Sequence, residues 1–379
     1  MLKDLREQID KIDDQIVALY RERMAISKEV AKEKNKTGKG VTNYLREKEI
    51  LNRVTEMVDD DIKAYTKQVF ETLFDTSKAY QLRYIDGMSR SRDMIEDALS
   101  KSETPFPAKA YVACQGAVGA YSNIATEKLF TLSNIMYFKN FEGVFNAVEK
   151  GLCKYGVLPI ENSIAGSVNA VYDLMREHNF HIVKSIKLRI QHSVLAKKGV
   201  KLEDIKEIIS HEQAINQCGK FIKSLGEVKV TVCPNTAIGA KMVSESERSD
   251  VACIASRECT GIYDLELIKA NVQNADNNYT RFICISKDLE IYKGADRISI
   301  MMTVPHESGS LNKILNKFST LNLNLTKLES RPLENTSFEF MFYFDFEADL
   351  QDKEILNLIT ELDNEAQDFI FLGNYSEVV

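Results

Sequence analysis

Apolar residues recur near the start of the chain at steps of three and four: Leu2, Leu5, Ile9, Ile12, Ile16, Leu19, Ile26 and Val30. That spacing predicts one long helix with a coiled-coil type seam over about four heptads. Arg23 interrupts the seam where an apolar residue is expected, and Lys34 lies eleven residues on, at nearly the same angular position. Lys36 to Gly40 break the helix, and Asn43 is placed to cap a second. There the stripe Ile50/Leu51, Val54 and Val58 extends backwards onto Glu47, with Arg46 before it. A third helix, expected over roughly 62–98, carries Phe70, Leu73/Phe74 and Tyr84. Ser77 and Gln81 occupy the positions between, one turn apart on one face.

From Ala110 the period changes. Short apolar runs at Ala110–Cys114, Ile135–Phe138, Tyr155–Pro159, Ile182–Ile186, Glu207–Ser210, Val228–Cys233, Val251–Ala255 and Phe282–Ser286 alternate with helical stretches. Such alternation predicts βα units and at least one largely parallel sheet. After a second boundary near Lys287–Asp296 come Arg297–Val304, helix-like Gly309–Thr320, Asn322–Pro332, Phe338–Phe346, helix-like Asp352–Leu362 and Asp368–Leu372. The order βαββαβ is that of a ferredoxin-like α+β unit. The first 104 residues lack proline, and Lys101–Pro107 reads as a linker. The expected organisation is a helical domain at 1–90, a linker at 91–108, an α/β domain at 109–287 and an α+β domain at 297–379.

Composition narrows the partners. A net charge of −7 argues against nucleic acid, whose binders are basic. No apolar run approaches the ~18 residues of a membrane span, and the N-terminus carries no signal-peptide core. Seven scattered cysteines without a CxxC pair suit reduced core thiols in a cytoplasm. The five histidines form no HxH or HExxH arrangement, so neither metal nor cofactor is expected.

Chemistry enters where polar residues interrupt apolar stripes. One such residue alone is most simply a snorkelling or capping side chain. Interruptions on all three helices are harder to dismiss, because buried charge is costly unless paired. The seams hold too few acids to pair Arg23 and Lys34, and an anionic ligand would supply the missing charge. Arg6 lies about 100° around the first helix from Arg23, so one ligand would meet both only if two chains exchanged long helices.

This set resembles the all-helical chorismate mutases over the whole block, through Arg6, Arg23, Lys34, Arg46, Glu47, Ser77 and Gln81. Asn43 stands where family members commonly carry Asp. The resemblance implies an intertwined dimer of three-helix chains. Arg23 and Lys34 would hold the substrate carboxylates and ether oxygen, together with the partner subunit's Arg6. Glu47 would bind the ring hydroxyl, and Gln81 would polarise the ether oxygen. A pericyclic rearrangement needs a held conformer and stabilised charge, not a nucleophile, and a set without a catalytic base suits it.

In the α/β block several strands end in loops rich in Gly, Asn, Ser and Thr. These are Gln115–Ser122 with Gly119 and Tyr121, then Pro159–Ser167 with Glu161, Asn162 and Ser163, then Ser210–Gln213 with His211, and Asn235–Ala237 with Thr236. Ligands bind at such strand ends in open α/β sheets, although helix capping explains any one loop alone. None is GxGxxG, so no dinucleotide site is expected. With Asn278-Tyr279-Thr280-Arg281-Phe282, these stretches resemble prephenate dehydratase over about 109–287, with Ala117 in place of a usual Pro. The resemblance implies two lobes like those of periplasmic binding proteins, with the active site between them. Thr280 would serve the leaving ring hydroxyl as a donor or relay within a network. Arg281 would either clamp a carboxylate or form a salt bridge within the fold. Glu161 would be the acid if burial raised its pKa.

The last block resembles the ACT regulatory domains. Gly309-Ser310-Leu311-Asn312 lies at a strand-to-helix junction, and Glu329-Ser330-Arg331-Pro332 ends the next strand. By resemblance these frame an L-phenylalanine pocket at a subunit interface. The whole chain then reads as converting chorismate to prephenate and prephenate to phenylpyruvate, with feedback inhibition by phenylalanine, as a homodimer or homotetramer. The alternative is a phenylalanine sensor in which only the helical block is active. A fused dehydrogenase would need a GxGxxG turn after a strand, and there is none.

Overall fold

Helix α1 runs unbroken from Leu2 to Thr37 and ends at Gly38, whose φ of 65° is the left-handed geometry that stops a helix. Asn43 caps α2 (Tyr44–Glu56), accepting from the Arg46 amide at 3.2 Å. Helix α3 spans Lys63–Leu82, and both α1 and α2 pack against it. The computed structural model describes residues 1–38, 40–85, 90–333 and 340–379. The expected continuation of the third helix to residue 98 is not found: α3 stops at Leu82, and a separate helix, α4, covers Arg90–Leu99. Residues 86–89 of that expected helix lie outside the described residues, as do the first two of the expected strand Phe338–Phe346.

The face of α1 turned to α3 is not the apolar seam. It buries Ser27 and Ala31, whereas Ile9, Ile12 and Ile16 of the seam are 55%, 55% and 57% exposed. By spatial clustering, Met1–Asp93 forms one unit with Asp352–Gln367, and Met94–Gln351 forms another with Asp368–Val379. Within the first unit Arg83 grips Glu354 of the helix Lys353–Glu365 through two contacts, at 3.2 and 2.6 Å.

The second unit holds three sheets. In chain order β1 (Lys109–Gln115), β2 (Leu132–Phe138), β3 (Tyr155–Asn162), β4 (Gly166–Ser167) and β5 (His181–Arg189) belong to the first. The chain then crosses to a second sheet of β6 (Ser193–Ala196), β7 (Glu207–Ser210), β8 (Lys229–Val232), β9 (Val251–Ala255) and β10 (Glu266–Lys269). Strand β11 (Tyr279–Ser286) returns to the first sheet and lies between β3 and β5, antiparallel to both. Each sheet is therefore mixed, with a parallel trio (β2-β1-β3 and β8-β7-β9) extended by antiparallel strands. Strands β6 and β10 were not marked by the sequence. Helices α5 (Tyr121–Leu129), α6 (Phe141–Glu149), α7 (Asn169–His178), α8 (Glu212–Gln217), α9 (Gly219–Ser224), α10 (Thr236–Glu245) and α11 (Cys259–Tyr263) connect these strands.

The third sheet comprises β12 (Arg297–Thr303), β13 (Leu325–Pro332), β14 (Phe340–Glu347) and β15 (Phe369–Tyr375), in the antiparallel order β13-β14-β12-β15. Helix α12 (Ser310–Thr320) precedes β13, completing with Lys353–Glu365 the βαββαβ order. Strand β16 (Glu377–Val378) then joins β5 of the first sheet. Alternation along β11 separates two cores. Ile283 and Ile285 pack with Met301, Tyr343 and Leu372 of the third sheet, whereas Phe282 and Cys284 pack toward α5 residues such as Ala125 and Leu129. All seven cysteines are buried and free. Among the described residues, no helix is long and apolar enough to cross a membrane, and no group of three or more His, Cys, Asp or Glu is placed to hold a metal ion.

Candidate active sites

In the helical unit, the helix repeat brings five of the eight nominated residues together. Arg23 donates to Leu73 O at 2.9 Å and to Ser77 Oγ, while Lys34 donates to Gln81 Oε1 at 3.2 Å and to Val41 O at 2.5 Å. Among the described residues neither cation forms an ion pair, and the Glu47 carboxylate acts on Lys34 only through its longer-range field. Burial lowers the pKa of both cations from their ordinary values. Ser77 and Gln81 are buried, at 5% and 7% exposure. Lys78, which the sequence did not nominate, approaches Glu47 at 3.5 Å.

Three nominated residues lie elsewhere. Arg46 is exposed and pairs with Glu49 at 3.1 Å, because it sits one step round α2 from Glu47. Asn43 spends its side-chain oxygen on the α2 cap. Arg6 precedes Arg23 by seventeen residues of continuous helix, about 25 Å along the axis at 1.5 Å per residue. It cannot reach the same ligand from the same chain.

In the second unit a cleft lies where the two mixed sheets face each other. Thr280 and Phe282 of β11, Asn162 of β3 and Tyr121 and Ser122 of α5 line one side. His211, Gln213, Asn235 and Thr236 line the other. The turn into α5 depends on Gly119: its φ is 86°, and an added Cβ would lie 2.9 Å from Cys259 Sγ and 3.0 Å from Ile262. The Asn123 side chain accepts from the Gly119 amide at 2.8 Å and holds the turn. His211 caps α8, its Nδ1 accepting from the Gln213 amide at 3.3 Å. Asn235 caps α10 at the Ile238 amide, 2.8 Å away, which leaves Thr236 in the first turn.

Strand alternation removes two expected contacts. Thr280 and Arg281 are successive residues of one strand, so their side chains leave opposite faces. Arg281 turns from the cleft into the third sheet, where it pairs with Asp345, meets Glu377 at 2.7 Å and donates to Tyr375 Oη at 2.7 Å. Of the two readings left open for Arg281, the structure has the salt bridge within the fold and not the carboxylate clamp. Glu161 stands opposite Arg281 in the β3–β11 register and leaves by the same face, to pair with Lys327 at 3.0 Å. As an acid for the cleft it is on the wrong side of the sheet. Ser163 is also a strut: its hydroxyl donates to Asn277 O at 2.8 Å and accepts from the Tyr279 amide at 2.9 Å.

The same alternation divides the Glu329–Pro332 motif. Glu329 accepts from Ser167 Oγ at 2.7 Å, and Arg331 grips Asp173 at 2.8 and 3.3 Å, whereas Ser330 and Pro332 are exposed on the other face. Gly309 sits at φ 86° immediately before α12, whose first turn contains Ser310 and Leu311.

The cleft also contains residues the sequence reading did not nominate. His192, at 2% exposure, lies at the crossing from β5 to β6, and Gln217 ends α8. Burial holds the His192 pKa below its ordinary value, opposed by its contact with Gln217. The only local signal was a histidine directly before the short apolar run Ser193-Val194-Leu195-Ala196. Nothing local marks Gln217.

A helical unit with convergent cations and a two-lobed α/β cleft together define a two-site enzyme. The family model for prephenate dehydratase matches residues 112–290, and that for chorismate mutase type II matches residues 5–82. An arogenate dehydratase/prephenate dehydratase of Arabidopsis thaliana is 37% identical over 276 residues, covering 70% of this chain and 72% of that one. The bifunctional chorismate mutase/prephenate dehydratase of Escherichia coli K12 is 28% identical over 379 residues, covering 98% of this chain and 95% of that one. A prephenate dehydratase from Arthrobacter aurescens, solved in complex with L-Phe, shares the fold with a TM-score of 0.64 at 24% identity, covering 70% of this chain and 89% of that one. The chain belongs to the prephenate dehydratase family, in its bifunctional form with a chorismate mutase at the N-terminal end.

Proposed function

We propose that the helical unit rearranges chorismate to prephenate and that the cleft converts prephenate to phenylpyruvate. The observation that carries the first half is a pair of half-buried cations, Arg23 and Lys34, satisfied among the described residues only by neutral acceptors. A dicarboxylate with a negatively polarising ether oxygen supplies what they lack. Lys34 and Gln81 touch each other and meet that oxygen as the C–O bond breaks, Arg23 and Ser77 take a carboxylate, and Glu47 takes the ring hydroxyl. Charge is stabilised only as it develops, and no base is needed.

The uncovered seam of α1 and the distance to Arg6 support a dimer in which the long helices are exchanged, so that the partner subunit's Arg6 completes each site. Leu5, Ile9, Ile12, Ile16 and Leu19, all at least 49% exposed, form a longer apolar stripe than a soluble monomer ordinarily leaves open.

In the cleft, the electrons of the breaking C–CO₂⁻ bond of prephenate become a ring double bond and expel the ring hydroxyl. CO₂ and, with one proton, water leave. Thr280 Oγ–H donates to the departing hydroxyl. Its acidity is far too low to act unaided, so the proton comes through the surrounding hydrogen-bonded groups. With Arg281 and Glu161 turned to the opposite face, the carboxylates of prephenate rest on the amide N-termini of α5 and α10, with the Ser122 and Thr236 hydroxyls. The βαββαβ segment is read as an ACT domain that binds L-phenylalanine through Gly309–Leu311 and Ser330 at a subunit interface and inhibits the dehydratase.

The test uses the purified chain with chorismate and prephenate assayed separately. Gln81→Ala is expected to reduce mutase turnover at least a hundredfold and leave the dehydratase nearly intact, in the range lost with one charge-stabilising donor. Thr280→Ala is expected to do the reverse. Equal loss of both activities in either variant would undo the two-site reading.

A further inference from the structure

Five side chains form one hydrogen-bonded chain through the hinge of the cleft, and its polarity is fixed from one end. Asn162 Oδ1 accepts from the backbone amides of Ile164 and Ala165 at 3.1 and 2.8 Å. Backbone N–H groups only donate, so this amide cannot be turned over, and its Nδ2 must face the other way. That nitrogen has three acceptors in reach, Asn278 Oδ1 at 2.7 Å, Thr280 Oγ at 2.9 Å and Tyr279 O at 3.1 Å, and its two hydrogens serve the two nearest. Asn278 thereby presents its own Nδ2 to Gln217 Oε1 at 2.9 Å. The same Gln217 oxygen lies 2.9 Å from His192 Nε2. An oxygen already facing one donor accepts from the ring as well, so the imidazole carries its proton on Nε2; its Nδ1 lies 3.4 Å from Tyr121 Oη, whose own hydrogen goes to Gln191 O at 2.6 Å.

The chain has a place in the fold. His192 lies on the crossing from β5 to β6 and Asn278 directly before β11, the two points where the backbone passes between lobes. Gln217 belongs to one lobe and Asn162 to the other. Asn162, Asn278 and His192 are 6%, 1% and 2% exposed, so water does not compete for these bonds.

We propose that Gln217, Asn278 and His192 are positioning residues for Thr280: Asn162, its polarity set by the Ile164 and Ala165 amides, makes Thr280 Oγ an acceptor and so turns its single O–H toward the reacting hydroxyl, and the three residues hold the Asn162 Nδ2 in place beside it. A threonine hydroxyl has one hydrogen and rotates freely unless its oxygen is engaged. Were Asn162 reversed, it would present an oxygen to Thr280 and draw that hydrogen away from the cleft. Fixing the chain from the Ile164 and Ala165 amides excludes that state. The proposal rests on the dehydratase reading of the cleft, but its structural half stands apart from turnover.

The experiment has two arms on the full chain. Histidine-selective ¹⁵N labelling, with the His192 signals assigned by loss in His192→Gln, reads the tautomer without any substrate. The Nε2–H form is expected, and an Nδ1–H form overturns the chain polarity whatever the activity. In the second arm, Gln217→Leu is expected to lower dehydratase kcat by about tenfold to a hundredfold, the usual cost of slight misplacement. KM for prephenate should stay within about threefold and mutase kcat should be unchanged, since orientation of the reacting group and not binding is lost. Gln217→Glu keeps an acceptor for both donors and is expected to recover kcat at least about tenfold over Leu, while raising KM for a dianionic substrate. Equal kcat for the Leu and Glu variants, or a Leu variant altered only in KM, overturns the positioning role. Wild-type protein that shows the Nε2–H form but does not turn over prephenate refutes the dehydratase reading and leaves the chain polarity intact.

Discussion

Arg281 and Thr280 are neighbours in sequence and strangers in space. The sequence marks both as candidates, since a hydroxyl and a cation in one motif look like parts of one site. The strand sends them to opposite faces, and Arg281 enters a buried cluster with Asp345, Tyr375 and Glu377. Removing one member of a buried ion pair leaves the other uncompensated, at about 3–5 kcal/mol. Arg281→Met is therefore expected to lower the stability of this unit by that amount in urea denaturation. Asp345→Asn, which can touch no substrate, is expected to destabilise in the same direction. If Arg281→Met instead left stability unchanged and raised KM for prephenate, the carboxylate clamp would be restored. Residue types in the motifs were legible from sequence; which face each takes was not. In the helices the outcome was better, because a period of 3.6 already specifies that Ser77 and Gln81 share a face.

At the level of elements, α1 has two apolar-compatible faces and its own chain covers the less apolar one. Ser27 and Ala31 permit close packing on α3, while the Leu/Ile seam is left for another surface. A seam of this length strongly favours helix pairing. On the exchanged-helix reading, Ile12→Glu combined with Ile16→Glu is expected to halve the mass of the assembly by light scattering and to abolish mutase activity. Prephenate turnover should survive, because the cleft is built within one chain. Unchanged mass with full mutase activity would sink the exchanged-helix arrangement. Strands β6 and β10 escaped the sequence reading for a different reason. Each is four residues long, as are β7 and β8, but each adjoins another strand, β5 or β11, with no helix between, and so stands outside the strand–helix alternation by which the others were read.

Across the dehydratase and its neighbouring third sheet, edge strand β13 is the connection. Lys327, Glu329 and Arg331 reach Glu161, Ser167 and Asp173, while Ser330 on the opposite face is exposed. A ligand held by the Ser330 face would thus act on β3 and β4 through the same strand, and Asn162 at the end of β3 lies 2.9 Å from Thr280 Oγ. Ser330→Ala is expected to raise the phenylalanine concentration for half-inhibition about tenfold, equivalent to about 1.4 kcal/mol, and Glu329→Ala to reduce the maximal inhibition. Uninhibited turnover should be largely retained in both, and steady-state assays across a phenylalanine series check it. An unchanged response in both variants would remove the sensor assignment.

The sequence by itself determined the order and kind of most elements, and the family. Those follow from local periodicity, punctuation and motif spacing, which are written in consecutive residues. Tertiary structure alone decided that Glu161 and Arg281 leave the cleft, that Ser163 is a strut, and that His192, Gln217 and Asn278 join Asn162 beside Thr280. The partners in those contacts lie 25 to 166 residues apart, from His192 and Gln217 to Glu161 and Lys327. No local pattern records which distant group a side chain will meet. That choice is made when strands pair in register and bury one face.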